Sequence, residues 1–383
     1  MTVHIPFNKP CVVGSELIYV GQAVAGGHAS GDGPFTWRAQ KLMEDRFDAK
    51  RILLTTSCTS ALEMAALLCD LRPGDEVIMP SYTFVSTANA VALRGAKPVF
   101  VDIRCDTLNI DERLIEAAIT PHTRAIFPIH YAGVACEMDE IMAIARRHDL
   151  LVVEDSAQGV FAKYKDRPLG TIGHLGCYSF HETKNFSCGE GGALVINDTR
   201  LEKRAEILRQ KGTNRSAFLR GDADKYTWMD VGSSYVPSDM LAAFLLGQLE
   251  NMEKITARRG EIYSKYARLL APLVKSGAIR TPVFPQHCTI NYHMFYVLAA
   301  DIKERTALIG HLRRAGIVAV FHYVPLHSSP FARQMELPLS ILPVTDEMSS
   351  RLLRLPMYFD LTDREATEVA SCVLDFYRDR GIQ

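Results

Sequence analysis

Residues 177–192 read C-Y-S-F-H-E-T-K-N-F-S-C-G-E-G-G, and the rest of the chain is organised around this stretch. Apolar runs at 175–180 and 193–196 flank its polar centre, and both have the length of buried strands. A lysine held between two buried strands is desolvated, which lowers its pKa and makes the amine available as a nucleophile. The single lysine of the stretch, Lys184, is therefore a candidate catalytic residue, with an ordinary surface lysine in a hairpin as the alternative.

The composition indicates a globular protein with a large core. The chain has 383 residues, of which 48% are hydrophobic, and this length predicts two domains. Its 43 basic and 44 acidic residues leave a net charge of −1, which gives no sign of a nucleic-acid or anionic membrane partner. We therefore expect small-molecule substrates rather than nucleic acid or a membrane.

The cysteines and the apolar runs point to a cellular compartment. Nine cysteines are scattered without a C-x-x-C pair, which favours reduced thiols over a disulfide framework or a zinc site, and we expect no metal. The first ten residues contain no apolar signal region, and no apolar run approaches the roughly 18 residues of a membrane span. These features predict a soluble cytoplasmic protein.

From residue 51 onward, short apolar runs alternate with helical segments. The pattern predicts strands at 52–54, 77–79, 98–101, 125–129 and 151–153. It predicts helices between them at 61–69, 84–93, 111–119 and 137–148. Such alternation is typical of an α/β domain with a mostly parallel sheet covered by helices on both faces.

After residue 197 the strands stop for a long interval. Helices are predicted at 200–211 and 239–270, and we take the second as one long helix that bridges two domains. The predicted division is a large domain at 1–238 and, with this helix, a smaller α+β domain at 239–383. Within the smaller domain the pattern predicts strands at 294–298 and 318–321 and helices at 304–315 and 364–377.

Two further polar segments follow predicted strands, where ligands bind in open α/β sheets. The first, S-C-T-S at 57–60, opens a helix, so its free amides and hydroxyls form either an anion site or a plain N-cap. The second, E-D-S-A-Q-G at 154–159, places two carboxylates at the end of a buried strand. Buried carboxylates need a cation, a metal or backbone donors. We expect Asp155 to pair with a protonated ring nitrogen, and for Glu154 a metal or a capping role is also open.

A phosphate site, a buried aspartate and a desolvated lysine are together the groups that pyridoxal phosphate requires. Beyond these groups, segments in the same order along residues 5–377 are similar to the DegT/DnrJ/StrS family of sugar aminotransferases. They are P-S-Y-T-F-V-S-T-A-N-A at 80–90, V-F-V-D-I at 99–103, V-V-E-D-S-A-Q-G at 152–159, Y-S-F-H-E-T-K at 178–184 and G-E-G-G-A at 189–193.

The resemblance implies the fold-type I architecture of aspartate aminotransferase and a role for several residues. Lys184 would bind the cofactor covalently and carry protons. Asp155 would pair with the pyridinium nitrogen, and Gln158 would lie near the 3′-oxygen.

The same resemblance implies the residues that surround the ring and the phosphate. Phe84 would stack on the ring, while the backbone of Cys58 and Thr59 and the hydroxyl of Ser179 would hold the phosphate. The chain departs from the family pattern at 232–236, which reads G-S-S-Y-V instead of G-x-N-x-R. Ser234 would then replace an asparagine that reaches the phosphate across a dimer.

Three histidines are candidates for substrate contacts: His181 before the lysine, and His322 and His327 in F-H-Y-V-P-L-H. A histidine satisfied by backbone groups is the alternative for each. Tyr323, between the last two, is expected in the core.

Within the family, S-C-T-S-A-L-E-M-A-A, H-Y-A-G-V-A-C-E-M-D, S-F-H-E-T-K-N and K-G-T-N-R-S most resemble enzymes that make dTDP-4-amino-4,6-dideoxy-D-galactose. This implies amino transfer from L-glutamate to dTDP-4-keto-6-deoxy-D-glucose, for a cell-surface polysaccharide such as enterobacterial common antigen. It also implies a homodimer with shared active sites. The alternatives are the gluco epimer, another nucleotide keto-sugar, a dehydratase, or a regulatory protein that binds the cofactor. Lys184 argues against a dehydratase, since those relatives carry histidine there.

Overall fold

The protein folds around a seven-stranded sheet in a computed structural model that describes residues 3–337 and 340–381. The strands of the chain are β1 (Arg51–Thr55), β2 (Glu76–Pro80), β3 (Lys97–Val101), β4 (Thr123–Ile126), β5 (Leu151–Asp155), β6 (Lys163–Tyr164), β7 (Arg167–Pro168), β8 (Leu175–Ser179), β9 (Gly192–Ile196), β10 (Cys288–Thr289), β11 (Tyr296–Leu298), β12 (Val320–Phe321) and β13 (Leu352–Arg354). The large sheet has the order β1-β9-β8-β5-β4-β2-β3, and only β9 runs against the other strands. The mostly parallel sheet predicted from the sequence is confirmed.

Helices cover both faces of this sheet, and others belong to the C-terminal part of the chain. They are α1 (Glu16–Ala25), α2 (Pro34–Phe47), α3 (Cys58–Leu68), α4 (Val85–Ala92), α5 (Met138–Arg147), α6 (Glu202–Arg209), α7 (Arg215–Arg220), α8 (Asp239–Leu249), α9 (Met252–Lys275), α10 (Ile302–Arg314), α11 (Pro330–Gln334), α12 (Pro343–Arg351) and α13 (Asp363–Arg378). Along β1, Leu53 packs into the core that contains α3, whereas its neighbours Ile52 and Leu54 pack with α2 and α8. Both faces are apolar because successive strand side chains point to opposite faces and each face carries a helical layer.

A second core lies in the C-terminal part of the chain. The small antiparallel sheet β11-β13-β12 packs with α9, α10 and α13. Ile5 is fully buried in the same core and forms a parallel bridge with Ile317, so the N-terminal segment crosses to the C-terminal part. The division into 1–238 and 239–383 stays a prediction.

The single bridging helix predicted at 239–270 is wrong, because the chain forms two helices there, α8 and α9. At the break, the Asn251 amide N–H donates to the carbonyl of Gln248 at 3.0 Å, and its side chain donates to the carbonyl of Gly247 at 2.8 Å. These local bonds replace the regular helical ladder. They let α8 pack on α1 and α2 while α9 packs on α13.

The helix predicted at 111–119 is also wrong. The chain forms two short 3-10 turns, Glu112–Leu114 and Glu116–Ala118. The Asp111 carboxylate accepts hydrogen bonds from both the amide and the guanidinium of Arg113, which fixes a tight local turn.

The nine cysteines, all within the described residues, are free thiols. No helix among residues 3–337 and 340–381 combines the length and apolar character needed to cross a membrane.

Candidate active site

A cavity of about 440 Å³ opens at the carboxyl ends of β5 and β8. Nine of the residues singled out from the sequence line it: Cys58, Thr59, Phe84, Asp155, Gln158, Ser179, His181, Lys184 and His322. Residues far apart in the chain meet there because parallel strands deliver their ends to one edge of the sheet.

Lys184 lies in the loop between β8 and β9. The two strands pair from Leu175 with Ile196 to Ser179 with Gly192, so the loop leaves the sheet edge directly at the cavity. Lys184 is partly buried, and its amide donates to the carbonyl of His181 at 2.9 Å. Burial lowers the pKa of the Lys184 amine, although the nearby Cys58 and Asp155 groups oppose the shift. Its Nζ donates no hydrogen bond to any residue that the structure describes, so this amine is free to react.

Asp155 is the last residue of β5 and is buried. Thr87 Oγ1 donates to its Oδ2 at 2.6 Å, and the Ala157 amide donates to its Oδ1 at 3.1 Å. Both oxygens are therefore held in place on the cavity wall, and each retains acceptor capacity. A carboxylate fixed in this way is suited to a cationic N–H partner.

The first turn of α3 forms an anion cradle. Ser57 caps the helix, and its side chain accepts from the Ser60 amide at 3.1 Å. Among the described residues, nothing accepts from the amides of Cys58 and Thr59. These free donors at a helix N-terminus attract a phosphate.

A glycine of the large sheet lets this cradle approach. A Cβ at Gly192 would lie 2.3 Å from the Ser57 carbonyl carbon and 2.4 Å from the Cys58 nitrogen. Any side chain at this position would push the helix terminus away from β9. Ser179, whose Cα pairs with Gly192 across β8 and β9, adds a buried hydroxyl to the same wall.

Gln158 and Tyr323 form a second polar pair on the wall. The Ala132 amide donates to Gln158 Oε1 at 2.6 Å, and Gln158 Nε2 donates to the Tyr323 hydroxyl at 3.0 Å. The hydroxyl hydrogen of Tyr323 is thereby left available to a ligand. Tyr323, expected in the core, packs against the core cluster that contains Tyr82 and Tyr131, and it also lines the cavity. Phe84, 55% exposed, lies 6.2 Å from that ring between centroids and is placed to cover a flat ligand.

Only two of the three predicted histidines reach the cavity. His181 lies at its edge, where Nδ1 bonds the Thr183 hydroxyl at 2.9 Å. His322 is buried in the wall, with its ring 3.5 Å from that of Tyr323 between centroids. His327 is not part of the lining, and it bonds Ser81 at 2.8 Å instead.

Ser234 is also absent from this cavity. It is exposed and bridges Gln210 on the segment after α6. Ser234 therefore does not line the cavity of its own chain. Its predicted contact with the cofactor phosphate depends on a second subunit.

Glu154 has a structural role. Its carboxylate accepts from the amides of Gly170, Ile172 and Gly173 at 2.8, 2.7 and 2.6 Å, and it pairs with His130 Nε2 at 2.9 Å. Residues 170–173 form a turn and not a helix, so Glu154 satisfies loop amides and a buried histidine within the fold. Among the described residues, no group of three or more His, Cys, Asp or Glu side chains could hold a metal.

Sequence reasoning missed Arg354. This side chain on β13 lines the cavity, and its Nε is buried without a hydrogen-bond partner among residues 3–337 and 340–381. Burial lowers its pKa, and the groups that oppose this shift are tyrosines rather than carboxylates. The guanidinium lies 4.6 Å from the centre of the Phe7 ring. A cation with no acidic partner in a cavity invites an anionic ligand. The one available signal was an arginine inside the apolar run L-L-R-L.

His293 was missed as well. It lines the cavity and is buried, and its Nδ1 bonds Asn185 Oδ1 at 2.9 Å. No spacing or charge pattern around H-M-F distinguishes it from a core histidine.

The chain is similar to known proteins along almost its whole length. The model of the DegT/DnrJ/EryC1/StrS aminotransferase family matches residues 11–374. MJ1066, an uncharacterised protein of Methanocaldococcus jannaschii, is 34% identical over 377 residues, which cover 96% of each chain.

Solved structures share the fold. TlmJ, an aminotransferase of Streptoalloteichus hindustanus, has a TM-score of 0.90 at 28% identity, over 98% of this chain and 100% of its own. DesV of S. venezuelae has a TM-score of 0.85 at 30% identity, over 94% of each chain. Spr1654 of Streptococcus pneumoniae, solved in its PLP form, has a TM-score of 0.90 at 25% identity, over 98% of this chain and 99% of its own.

The described residues fit the cofactor of these relatives. The unpaired amides of Cys58 and Thr59, kept accessible by Gly192, suit its phosphate. Asp155 and the free amine of Lys184 suit its ring nitrogen and its aldehyde. The chain is thus a member of the DegT/DnrJ/EryC1/StrS aminotransferase family, a pyridoxal phosphate-dependent aminotransferase of fold type I.

Proposed function

We propose that this protein transfers the amino group of L-glutamate to dTDP-4-keto-6-deoxy-D-glucose, giving dTDP-4-amino-4,6-dideoxy-D-galactose and 2-oxoglutarate. The observation that carries the proposal is the free, desolvated amine of Lys184 in one cavity with the fixed carboxylate of Asp155. The cofactor supplies an electron sink for the carbon that loses or gains the amine. Lys184 then moves the proton to and from that carbon, since its lowered pKa keeps a fraction of the amine neutral.

Arg354 supports a carboxylate-bearing amino donor. Its side chain lines the same cavity as Lys184, its Nε has no hydrogen-bond partner among the described residues, and a carboxylate would satisfy the guanidinium with parallel N–H···O bonds. Glutamate carries such a group next to its amine, which fits the expected donor. We therefore assign Arg354 to the donor's carboxylate and not to the sugar.

The donor assignment is tested by Arg354→Met, which should raise the KM for L-glutamate about tenfold to a hundredfold, the range expected when hydrogen bonds to a charged group are lost. Arg351→Met is a matched control, because this arginine bonds the carbonyl of Ala299 and pairs with Glu347. An unchanged KM for glutamate in Arg354→Met would remove Arg354 from the donor site.

The proposal for the sugar acceptor rests on the resemblance in the motifs. The configuration at C4 of the sugar product depends on which face of the sugar ring meets the cofactor. The gluco epimer and other nucleotide keto-sugars therefore stay as alternatives. We would incubate the purified enzyme with glutamate and dTDP-4-keto-6-deoxy-D-glucose and identify the product by NMR. A gluco product would correct the epimer, and failure to form 2-oxoglutarate would contradict the whole proposal.

We further propose a homodimer in which each subunit completes the other's site. Ser234 is exposed and lies outside its own cavity. Nearby, Trp228 is 79% and Met229 57% exposed, and exposed apolar groups of this size favour a protein interface. We expect residues 211–216 and 232–235 to reach the partner's phosphate cradle.

Subunit mixing tests the shared site. Inactive Lys184→Ala is combined with a variant disabled at residues 211–216, under conditions that let the subunits exchange. Shared sites predict partial recovery of activity, because a mixed dimer regains one complete site. A fully active monomer in sedimentation would contradict the proposal.

The central test of function is Lys184→Ala, which should lower turnover by at least the roughly 10²–10⁴-fold typical of lost acid–base catalysis. It should also prevent covalent attachment of the cofactor. Lys165→Ala is the control, because Lys165 is exposed and pairs with Asp139. A Lys184→Ala protein that transaminates at the normal rate would contradict the assignment of this lysine, whereas a wild-type protein without transaminase activity would favour the alternative of a regulatory protein. We also propose a cytoplasmic location, because all nine cysteines are free thiols and disulfides are rare in the cytosol.

A further inference from the structure

Gln158 and Tyr323 together bring two unused hydrogen-bond donors to the cavity wall. The Ala132 amide donates to Gln158 Oε1 at 2.6 Å, which leaves Nε2 as the atom that donates to the Tyr323 hydroxyl at 3.0 Å. An amide nitrogen carries two hydrogens, and Tyr323 accepts only one of them. The second hydrogen of Gln158 Nε2 and the hydroxyl hydrogen of Tyr323 have no acceptor among residues 3–337 and 340–381.

The backbone fixes the orientation of the Gln158 amide. Ala132, whose N–H holds Gln158 Oε1, has left-handed dihedral angles, with φ of 57° and ψ of 15°. This conformation is unfavourable for a residue with a Cβ, and it persists where the surrounding structure imposes it, often at ligand sites. Gln158 is also buried, so water does not compete for the bond. The free N–H of Gln158 therefore has a set direction before any ligand binds.

The hydroxyl of Tyr323 is held in place as a donor. Its ring centre lies 3.5 Å from that of His322 and 6.2 Å from that of Phe84, and these neighbours limit its movement. Burial raises the pKa of Tyr323 above its ordinary value, and the negative charge of Asp155 acts in the same direction. The hydroxyl therefore stays protonated and can donate its hydrogen.

One polar group of the cofactor has no partner so far. The free amides at the start of α3 suit its phosphate, Asp155 suits its ring nitrogen and Lys184 suits its aldehyde. The remaining group is the oxygen at ring position 3, which accepts hydrogen bonds and is negatively charged when ionised. Two neighbouring donors with fixed directions are suited to such an oxygen.

We propose that Tyr323 is a cofactor-binding residue that donates its hydroxyl hydrogen to the 3-oxygen of pyridoxal phosphate, beside the free N–H of Gln158. The motifs implied this contact for Gln158 alone, and Tyr323 belongs to a segment distant in sequence. Because the two donors stabilise the ionised oxygen, the bound cofactor keeps this form down to lower pH. The inference rests on the cofactor site of the proposed transaminase and does not depend on which sugar is the acceptor.

The first test measures non-covalent binding, so turnover is not needed. Pyridoxamine phosphate carries the 3-oxygen but no aldehyde, and 3-deoxypyridoxamine phosphate also lacks that oxygen. Calorimetric titration of the cofactor-free protein gives the Kd of each compound. Tyr323→Phe should weaken the binding of pyridoxamine phosphate about tenfold or more, the range for a lost hydrogen bond to a charged group, and that of the deoxy compound less than about twofold.

Tyr266→Phe is the matched control. Its hydroxyl donates to the carbonyl of Pro356 at 2.9 Å, and Tyr266 is not part of the cavity lining. This variant also loses a buried hydroxyl, so it measures the effect of lost stability alone. Both Kd values should equal those of the wild type.

The second test reads the ionisation of bound pyridoxal phosphate from its visible absorbance as a function of pH. A donor to the ionised oxygen lowers the pKa of the bound cofactor, so loss of the donor raises it. The midpoint should therefore rise by about one pH unit in Tyr323→Phe. Tyr266→Phe should keep the wild-type midpoint, as would Tyr323→Phe if Tyr323 only supported the packing of the wall.

Three results for Tyr323→Phe would overturn the inference: equal losses of affinity for the two compounds, wild-type Kd values with a wild-type midpoint, or a loss confined to the KM for the sugar, which would assign the hydroxyl to that substrate. If the variant does not fold, the wild type decides. It should bind the deoxy compound about tenfold or more weakly than pyridoxamine phosphate, and equal binding would refute the proposal. A protein that meets these expectations but forms no 2-oxoglutarate would contradict the proposed function and not this contact.

Discussion

Thr87 Oγ1 donates a 2.6 Å hydrogen bond to Asp155 Oδ2, and both side chains are buried. Thr87 lies on α4 and Asp155 ends β5, so this bond joins the helix after Phe84 to the strand that carries the carboxylate. The carboxylate cannot rotate freely, and its direction into the cavity is set before any ligand binds. Preorganised charge of this kind is a main source of enzymatic rate enhancement.

Asp155→Asn should keep the cofactor bound but slow the half-reaction with L-glutamate by about 10²-fold or more, because the ring nitrogen loses its anionic partner. Thr87→Val, which removes the supporting hydrogen bond to Asp155 and the bond to the Thr83 hydroxyl, should slow it about threefold to tenfold. Stopped-flow measurement of the cofactor spectrum would give both rates. An unchanged rate in Asp155→Asn would mean that this carboxylate is merely structural.

Lys184→Met should stabilise the cofactor-free protein at neutral pH. The folded-state pKa of Lys184 lies below its ordinary value of 10.5, so between the two values the unfolded chain binds more protons and stability rises with pH. Below that window the wild type bears the full cost of a desolvated ammonium, which methionine removes. The Tm should rise by about 1–3 °C near pH 7, and this gain should shrink as the pH approaches 10.5. A gain that does not depend on pH would point to packing instead of charge.

Gly192→Ala should weaken pyridoxal phosphate binding, by about tenfold or more if the amides of Cys58 and Thr59 lose one charge-assisted bond. The added methyl carbon would meet the Ser57 and Cys58 backbone at 2.3–2.4 Å and must displace the cradle. Titration of the cofactor-free protein by absorbance would measure the affinity. Gly21→Ala on the exposed face of α1 is the control, since nothing lies within 4 Å of its added carbon. Equal affinity in the two variants would refute the cradle.

The two histidines of F-H-Y-V-P-L-H should behave differently. His322→Phe keeps a ring against Tyr323 but loses the nitrogen that bonds the Tyr131 hydroxyl at 3.0 Å, so we expect about a tenfold loss in kcat/KM for the sugar. The half-reaction with glutamate should change less than about twofold. His327→Phe should lower the Tm through its lost bond to Ser81 and leave both half-reactions intact. Equal kinetic losses in both variants would contradict the placement of His327 outside the cavity.

Local sequence was enough to locate the lysine loop, Asp155 and the helix start at Cys58. Each lies directly after a short apolar run, and the physical reason is that parallel strands bring their carboxyl ends to one edge. The short, continuously buried strands of the large sheet and most of the helices between them likewise followed from the apolar runs. The resemblance of the motifs then predicted the family, which the match over residues 11–374 confirms.

The break between α8 and α9 needed the tertiary structure. An apolar and charged pattern continues through Glu250 and Asn251, so periodicity alone predicts one helix. The helices separate because they pack against different parts of the molecule, with α8 on α1 and α2 and α9 on α13.

Arg354, His293 and Thr87 became recognisable as site residues only in three dimensions. Each comes from an element distant in sequence from Lys184, and although Thr87 lies in the motif at 80–90, nothing in that motif marks it as the partner of Asp155. Their chemistry follows from their burial and from the hydrogen-bond partners that packing supplies. Among the described residues the Arg354 Nε has no partner, whereas His293 bonds the Asn185 amide oxygen and Thr87 donates to the Asp155 carboxylate. The sequence alone determined which groups the chain carries and which strand ends carry them, whereas tertiary packing decided which of those groups are left without a partner and so are available to a ligand.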